Sequence, residues 1–210
     1  MKVLLINGSP NEHGCTYTAL KEIADTLEKE GINSEIFWIG KKPIAGCIAC
    51  GYCRTSGKGC VFAEDGVNGL VARKDEFDAI VVGSPVYYAG PSGQLTAFLD
   101  RMFYAGGSFA GKLGAAVVSC RRGGATAAFD RLNKYFTISS MPVVSSQYWN
   151  MVHGRVNTPE EVAKDGEGLQ TMRTLGRNMA WLLKCIEAGK KEGIEFPANC
   201  EPRIHTNFID

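Results

Sequence analysis

The sequence predicts a single α/β domain: a five-stranded parallel sheet with helices on both faces. Three observations carry that prediction. Short runs of consecutive apolar residues, the mark of strands buried on both faces, recur along the chain. Stretches with apolar residues at helical spacing alternate with them. Clusters of Gly, Ser, Asn and Pro punctuate the joins. At 210 residues and 45% hydrophobic, the chain can bury a sizeable core, and no repeat or linker divides it.

Residues 3–6 (VLLI) read as the first strand, ended by Asn7-Gly8-Ser9-Pro10. A helix follows from near Thr16, with Leu20, Ile23, Ala24 and Leu27 on one face and Gly31 as its stop. Residues 33–39 (NSEIFWI) read as the second strand, and a cysteine-rich insertion fills 43–61. A short helix is predicted over 65–74 and a third strand over 78–83 (DAIVVG). Residues 91–104 read as a helix with Pro91 in its first turn and Leu95, Phe98, Leu99, Met102 and Phe103 as its stripe. A fourth strand is expected at 113–119, a helix at 125–136 and a fifth strand at 142–144. Thr158-Pro159-Glu160-Glu161 fits a capping box, opening a helix interrupted near Gly166 and Gly168. Leu169, Met172, Leu175, Met179, Leu182 and Ile186 carry its stripe to Gly189. The domain is therefore expected over 1–189, with 190–210 as a tail.

Ligands in open sheets of this kind bind beyond the carboxyl ends of the strands. Three segments are predicted there. The first, 8–18, offers Ser9, Cys15, Thr16 and Tyr17 with free amides at a helix N-terminus, a setting for a phosphate. It lacks the Lys-Ser/Thr ending of the ATP-binding loop and any G-x-G-x-x-G run, which suits a monophosphate. The ordinary alternative is a polar strand-to-helix connection. The second segment, 84–91, brings Pro85, Val86, Tyr87 and Tyr88, able to pack on a flat ring and bond its edge. The third, 119–124, brings Ser119, Arg121, Arg122, Gly123 and Gly124, with positive charge and close backbone approach. The dull readings are core tyrosines and a solvated turn.

The charge is balanced, 23 basic against 22 acidic residues, which argues against a nucleic acid or an anionic membrane as partner. No apolar run approaches the ~18 residues of a membrane span. The apolar start is too short for an export signal, so the expected location is the cytoplasm. Among eight cysteines, Cys47, Cys50, Cys53 and Cys60 crowd into fourteen residues, a pattern of metal or redox chemistry in a reducing compartment. Of the scattered others, Cys185 is expected in the core. A C-x2-C-x2-C turn with a fourth cysteine nearby can hold an iron-sulfur cluster; zinc and free thiols are the alternatives. His13 and His153 are assigned no catalytic part. The segment 147–154 (QYWNMVHG) is read as a loop that covers the ligand or builds a subunit contact, and Asp100-Arg101 as a local salt bridge, with a dimer-contact pair as the alternative.

On GSP…GCT at 8–16, SPVYYAGPSGQLTAFLDR at 84–101 and the glycines at 123–124, the chain resembles the flavodoxin-like NAD(P)H-dependent FMN reductase superfamily. The resemblance covers 2–145 and implies a flavodoxin-like three-layer sandwich. It implies FMN bound by the three segments and NAD(P)H as co-substrate. Cys15 departs from it, standing where relatives usually carry Asn. The cysteine run looks like the compact motif of iron-sulfur flavoproteins, which implies a 4Fe-4S cluster on Cys47, Cys50, Cys53 and Cys60 that exchanges electrons with the flavin. The expected activity is electron transfer from NAD(P)H or ferredoxin to flavin, quinone or a similar acceptor, with the cofactor doing the chemistry and no separate catalytic residue. A homodimer or homotetramer is implied. The rivals are a flavodoxin-type electron carrier with an accessory cluster and a flavin-free redox-sensing or zinc-stabilised interaction protein.

Overall fold

A computed structural model describes residues 1–197 together with 201, 204, 206 and 208. Cys200 and part of the expected tail lie outside the described residues. Five strands run parallel: β1 (Lys2–Asn7), β2 (Asn33–Trp38), β3 (Ala79–Tyr87), β5 (Leu113–Cys120) and β6 (Met151–His153), in the order β2-β1-β3-β5-β6. A two-residue strand, β4 (Gly90–Pro91), folds back antiparallel on the end of β3. The order reverses between β1 and β3, so the switch point lies between those two strands.

The continuous apolar run of β1 serves two cores. Val3 and Leu5 face helices α1 (Cys15–Lys29) and α7 (Gly166–Lys191). Leu4 and Ile6 face α3 (Val67–Ala72), α4 (Gly93–Ala105) and α5 (Ala125–Ile138). Alternation of side chains along the strand produces this division. Two short helices complete the fold, α2 (Tyr52–Ser56) and α6 (Pro159–Ala163).

The fifth strand is not where the sequence predicted it. Residues 142–144 make only an isolated bridge, Gly114 to Val143. Pro142 has no N–H for a ladder, and the chain leaves the sheet. It returns at buried Asn150, whose side chain donates to the Ala116 carbonyl at 3.0 Å, and the edge continues as β6. Segment 147–154 is thus partly strand rather than loop. Pro91 also falls outside its predicted helix. Ser92 caps α4 instead, its hydroxyl accepting from Leu95 N and donating to the Gly8 carbonyl at 2.8 Å.

Thr158 forms no capping box. Glu161 accepts from the Arg155 amide at 3.0 Å instead of reaching back to the Thr158 amide. The predicted interruption falls at 164–165, where Asp165 caps α7 through Gly168 N at 2.9 Å. Cys185 is exposed, not core: it lies off the stripe that Met172, Leu175, Met179 and Leu183 bury.

Candidate functional site

The ends of β1, β3 and β5 bring their three following segments to one edge of the sheet. Cys15, Pro85, Val86, Tyr87, Ser119 and Arg121 line a single cavity of about 180 Å³ there. Cys120 and residues 154–157 complete its wall. The other residues predicted for this site lie outside that cavity. Ser9 is buried, accepting from Asn11 N at 3.1 Å. Thr16 shares a buried 2.9 Å hydrogen bond with Ser119, tying the first segment to the third. Tyr17 sets its ring edge-on to His13 at 4.7 Å.

Beyond Tyr87 the chain turns sharply. Tyr88 and Ala89 both adopt left-handed backbone (φ 49° and 58°), and the Tyr88 side chain projects fully into solvent. Such strain in non-glycine residues gathers at functional sites. Gly124 (φ 87°) packs against this turn, and a Cβ there would lie 2.9 Å from the Ala89 Cα. Gly123, Arg121 and Arg122 are exposed beside it.

The phosphate end has a partner that local sequence patterns do not disclose. Gly14 caps α1 without a side-chain bond, and Asn157 arrives from a distant loop to accept from the Cys15 amide at 3.1 Å. A carboxamide oxygen therefore sits on a helix N-terminal donor of the kind anions use. The Cys15 thiol turns away toward the Val156 carbonyl at 3.4 Å. Burial pushes the thiols of Cys15 and Cys120 up, so neither is a ready thiolate.

A second cavity, of about 420 Å³, lies beside the C-terminal half of α4. All four clustered cysteines line it, with Arg54, Arg101 and Tyr104. Its side-chain donors of metal-ligand type are sulfur alone. The segment wraps this space through left-handed Ala49, Gly51, Gly57 and Gly59. Among the described residues no three His, Cys, Asp or Glu side chains converge closely enough for one metal ion. The four cysteine side chains are thus spread around the cavity rather than gathered at one point.

Helix α4 braces this segment. Gln94 donates to the carbonyls of Gly40 at 3.0 Å and Lys42 at 2.9 Å. Arg101, 1% exposed, pairs with Asp65 and donates to the Ala45 and Phe62 carbonyls and to Cys60 Sγ at 3.1 Å. Burial alone works against its charge, and the bonds to Asp65 and Cys60 outweigh it. Arg101 is therefore not the partner of Asp100, which accepts from the Tyr135 hydroxyl. Asn68 fixes the Cys60 backbone, accepting from its N–H at 2.7 Å and donating to its carbonyl at 2.9 Å. At its other end α4 is anchored to the first cavity's loops, with Ser92 N donating to Ser84 Oγ at 2.9 Å.

Doubly wound strand order and ligand-facing loops at the switch point define a flavodoxin-like protein. A solved flavodoxin from the domain Archaea superposes with a TM-score of 0.59 at 17% identity, covering 88% of this chain and 99% of that one. The chain belongs to the NADPH-dependent FMN reductase family, whose model matches residues 1–155. An iron-sulfur flavoprotein of Methanocaldococcus jannaschii is 33% identical over 194 residues, covering 89% of this chain and all of the relative. A second from the same organism is 28% identical over 193 residues, covering 84% and 94%. An FMN-dependent oxidoreductase is the class this membership defines.

Proposed function

We propose that the chain binds FMN at the three-segment edge and a 4Fe-4S cluster on Cys47, Cys50, Cys53 and Cys60. It passes electrons from NAD(P)H or ferredoxin to flavin, quinone or a similar acceptor. The observation that carries this reading is the placement of a cavity lined by all four clustered cysteines and a phosphate-type helix terminus at the two ends of one anchored helix. From Ser92 to Arg101 that helix spans about 13 Å.

The residues fit FMN in chemistry. The α1 amides offer donors to its phosphate, Pro85 to Tyr87 offer backbone and aromatic contacts to its ring, and Arg121 brings positive charge to the ring's edge. FMN supplies hydride and electron transfer when bound, and the chain's residues position it. A phosphate on the Cys15 amide displaces Asn157, which now holds that donor. Ser119 and Thr16 keep the first and third segments in register. Arg121 favours the more negative reduced flavin, so Arg121→Ala should lower the flavin potential. An unchanged potential removes Arg121 from the site. We propose a cytoplasmic homodimer or homotetramer; sedimentation of the purified protein tests the oligomeric state.

Anaerobic purification is the decisive experiment. Near-stoichiometric FMN with four irons and four sulfides per chain (the content of one such cluster), and oxidation of NADH or NADPH with a soluble acceptor, would support the reading. FMN without iron and sulfide would remove the cluster. Turnover with neither nucleotide but fast exchange with ferredoxin would leave an electron carrier.

A further inference from the structure

Arg101 is among the largest fully buried side chains of the protein. A buried ion pair contributes little net stability over an apolar replacement, so its pairing with Asp65 does not by itself account for it. The guanidinium geometry is more informative. Nη1 donates to Asp65 and the Ala45 carbonyl, and Nη2 to Asp65 and the Phe62 carbonyl. Those four bonds take every N–H except the one on Nε, which points at Cys60 Sγ at 3.1 Å. A planar fork held at its other positions has no freedom to turn that donor elsewhere. Asn68 holds the backbone of Cys60, so both sides of the contact are fixed. Among the described residues, Cys47, Cys50 and Cys53 have no comparable side-chain donor.

Resting on the cluster reading above, we propose that Arg101 is a positioning and potential-setting residue. Its Nε–H donates to the Cys60 thiolate and stabilises the more negative, reduced form of the cluster. Hydrogen bonds to ligand sulfur and local charge are among the levers a protein has on such a centre. Asp65 works against Arg101, because its carboxylate neutralises the guanidinium that would otherwise favour reduction more strongly. The two residues thus set the cluster potential with opposite sign. Arg101→Lys keeps a positive charge but has no planar fork, so it separates the directed bond from the charge.

The test is a redox titration of anaerobically purified wild type, Arg101→Lys and Asp65→Asn, with FMN, iron and sulfide counted in each. The expected result for Arg101→Lys is full cluster content with reduction about tenfold less favourable, about 59 mV lower for one electron. Asp65→Asn should shift the potential upward. Full cluster content and an unchanged potential in Arg101→Lys would overturn the proposal. If Arg101→Lys keeps FMN but loses iron, Asp65→Asn decides: an upward shift supports the proposal and no shift overturns it. A wild type without iron or sulfide rejects the cluster reading itself, and the proposal with it.

Discussion

The flavin-side loops and the cysteine segment sit at opposite ends of α4, yet different forces shape them. The loops are continuations of sheet strands: β3 runs on through Tyr87, and the buried Thr16–Ser119 bond ties neighbouring segments beyond the strand ends. The parallel sheet holds their geometry. Residues 40–62 contain a single helix of one and a half turns, α2, and expose Cys47 and Cys50. What orders that segment is a set of clamps reaching in from other elements, Gln94, Asn68 and Arg101. A site built on a sheet edge is shaped before its ligand arrives. A site built on clamps depends on them and on what its cysteines bind.

That contrast can be broken experimentally. The largest effect is expected from Cys50→Ser, which should abolish iron and sulfide binding while FMN content stays at the wild-type level. Loss of FMN as well would mean that the two ends of α4 are not independent. Next comes Arg101→Ala, which leaves Asp65 without its partner and should destabilise the protein by about 3–5 kcal/mol. Urea denaturation followed by circular dichroism measures it, and wild-type stability would show that the clamp does not hold the segment. A smaller effect belongs to Asn157→Ala. Freeing the Cys15 amide for the phosphate should tighten FMN binding to the flavin-free protein about two- to tenfold in a fluorescence titration. Weaker binding would mean that Asn157 serves the phosphate rather than competing with it.

The smallest effect is a control for both regions. Glu35 on β2 accepts two bonds from Arg73, at 2.9 and 2.7 Å, and pairs with Lys2. These partners hold its carboxyl down to about 2, with the Arg73 bonds the larger cause. The stabilisation is present above the ordinary carboxylate value and lost as pH falls from about 4.5 toward 2. Glu35→Gln should therefore narrow the stability difference between pH 7 and pH 3 in denaturation curves, with FMN and iron content unchanged at pH 7.

The same contrast explains what could be read in advance. Residues 3–6, 78–83 and 113–119 were legible as strands because burial on both faces demands apolar runs, and 33–39 because Ile36 and Trp38 alternate onto one face of a half-buried strand. The convergence of 8–18, 84–91 and 119–124 followed from the rule for open sheets, and six of the predicted residues line the cavity. The edge strand was missed because pairing with β5 passes from 142–144 to Met151–His153 through Asn150, a single long-range contact without periodicity. Arg101 looked like the neighbour of Asp100. Adjacent residues on a helix point in different directions, and its partner Asp65 is thirty-six positions away.

The doubly wound sheet, the three loops at its edge and the grouping of four thiols in one short segment are all written in the order of the residues. Those features rest on periodicity, chain punctuation and residue chemistry, all of which are local. Three further features come from the folded chain: Asn157 lies on the Cys15 amide, Arg101 aims its last free N–H at Cys60, and one helix joins the two sites. Each of those depends on groups far apart in the chain meeting within hydrogen-bonding distance, and the folded core alone brings them there.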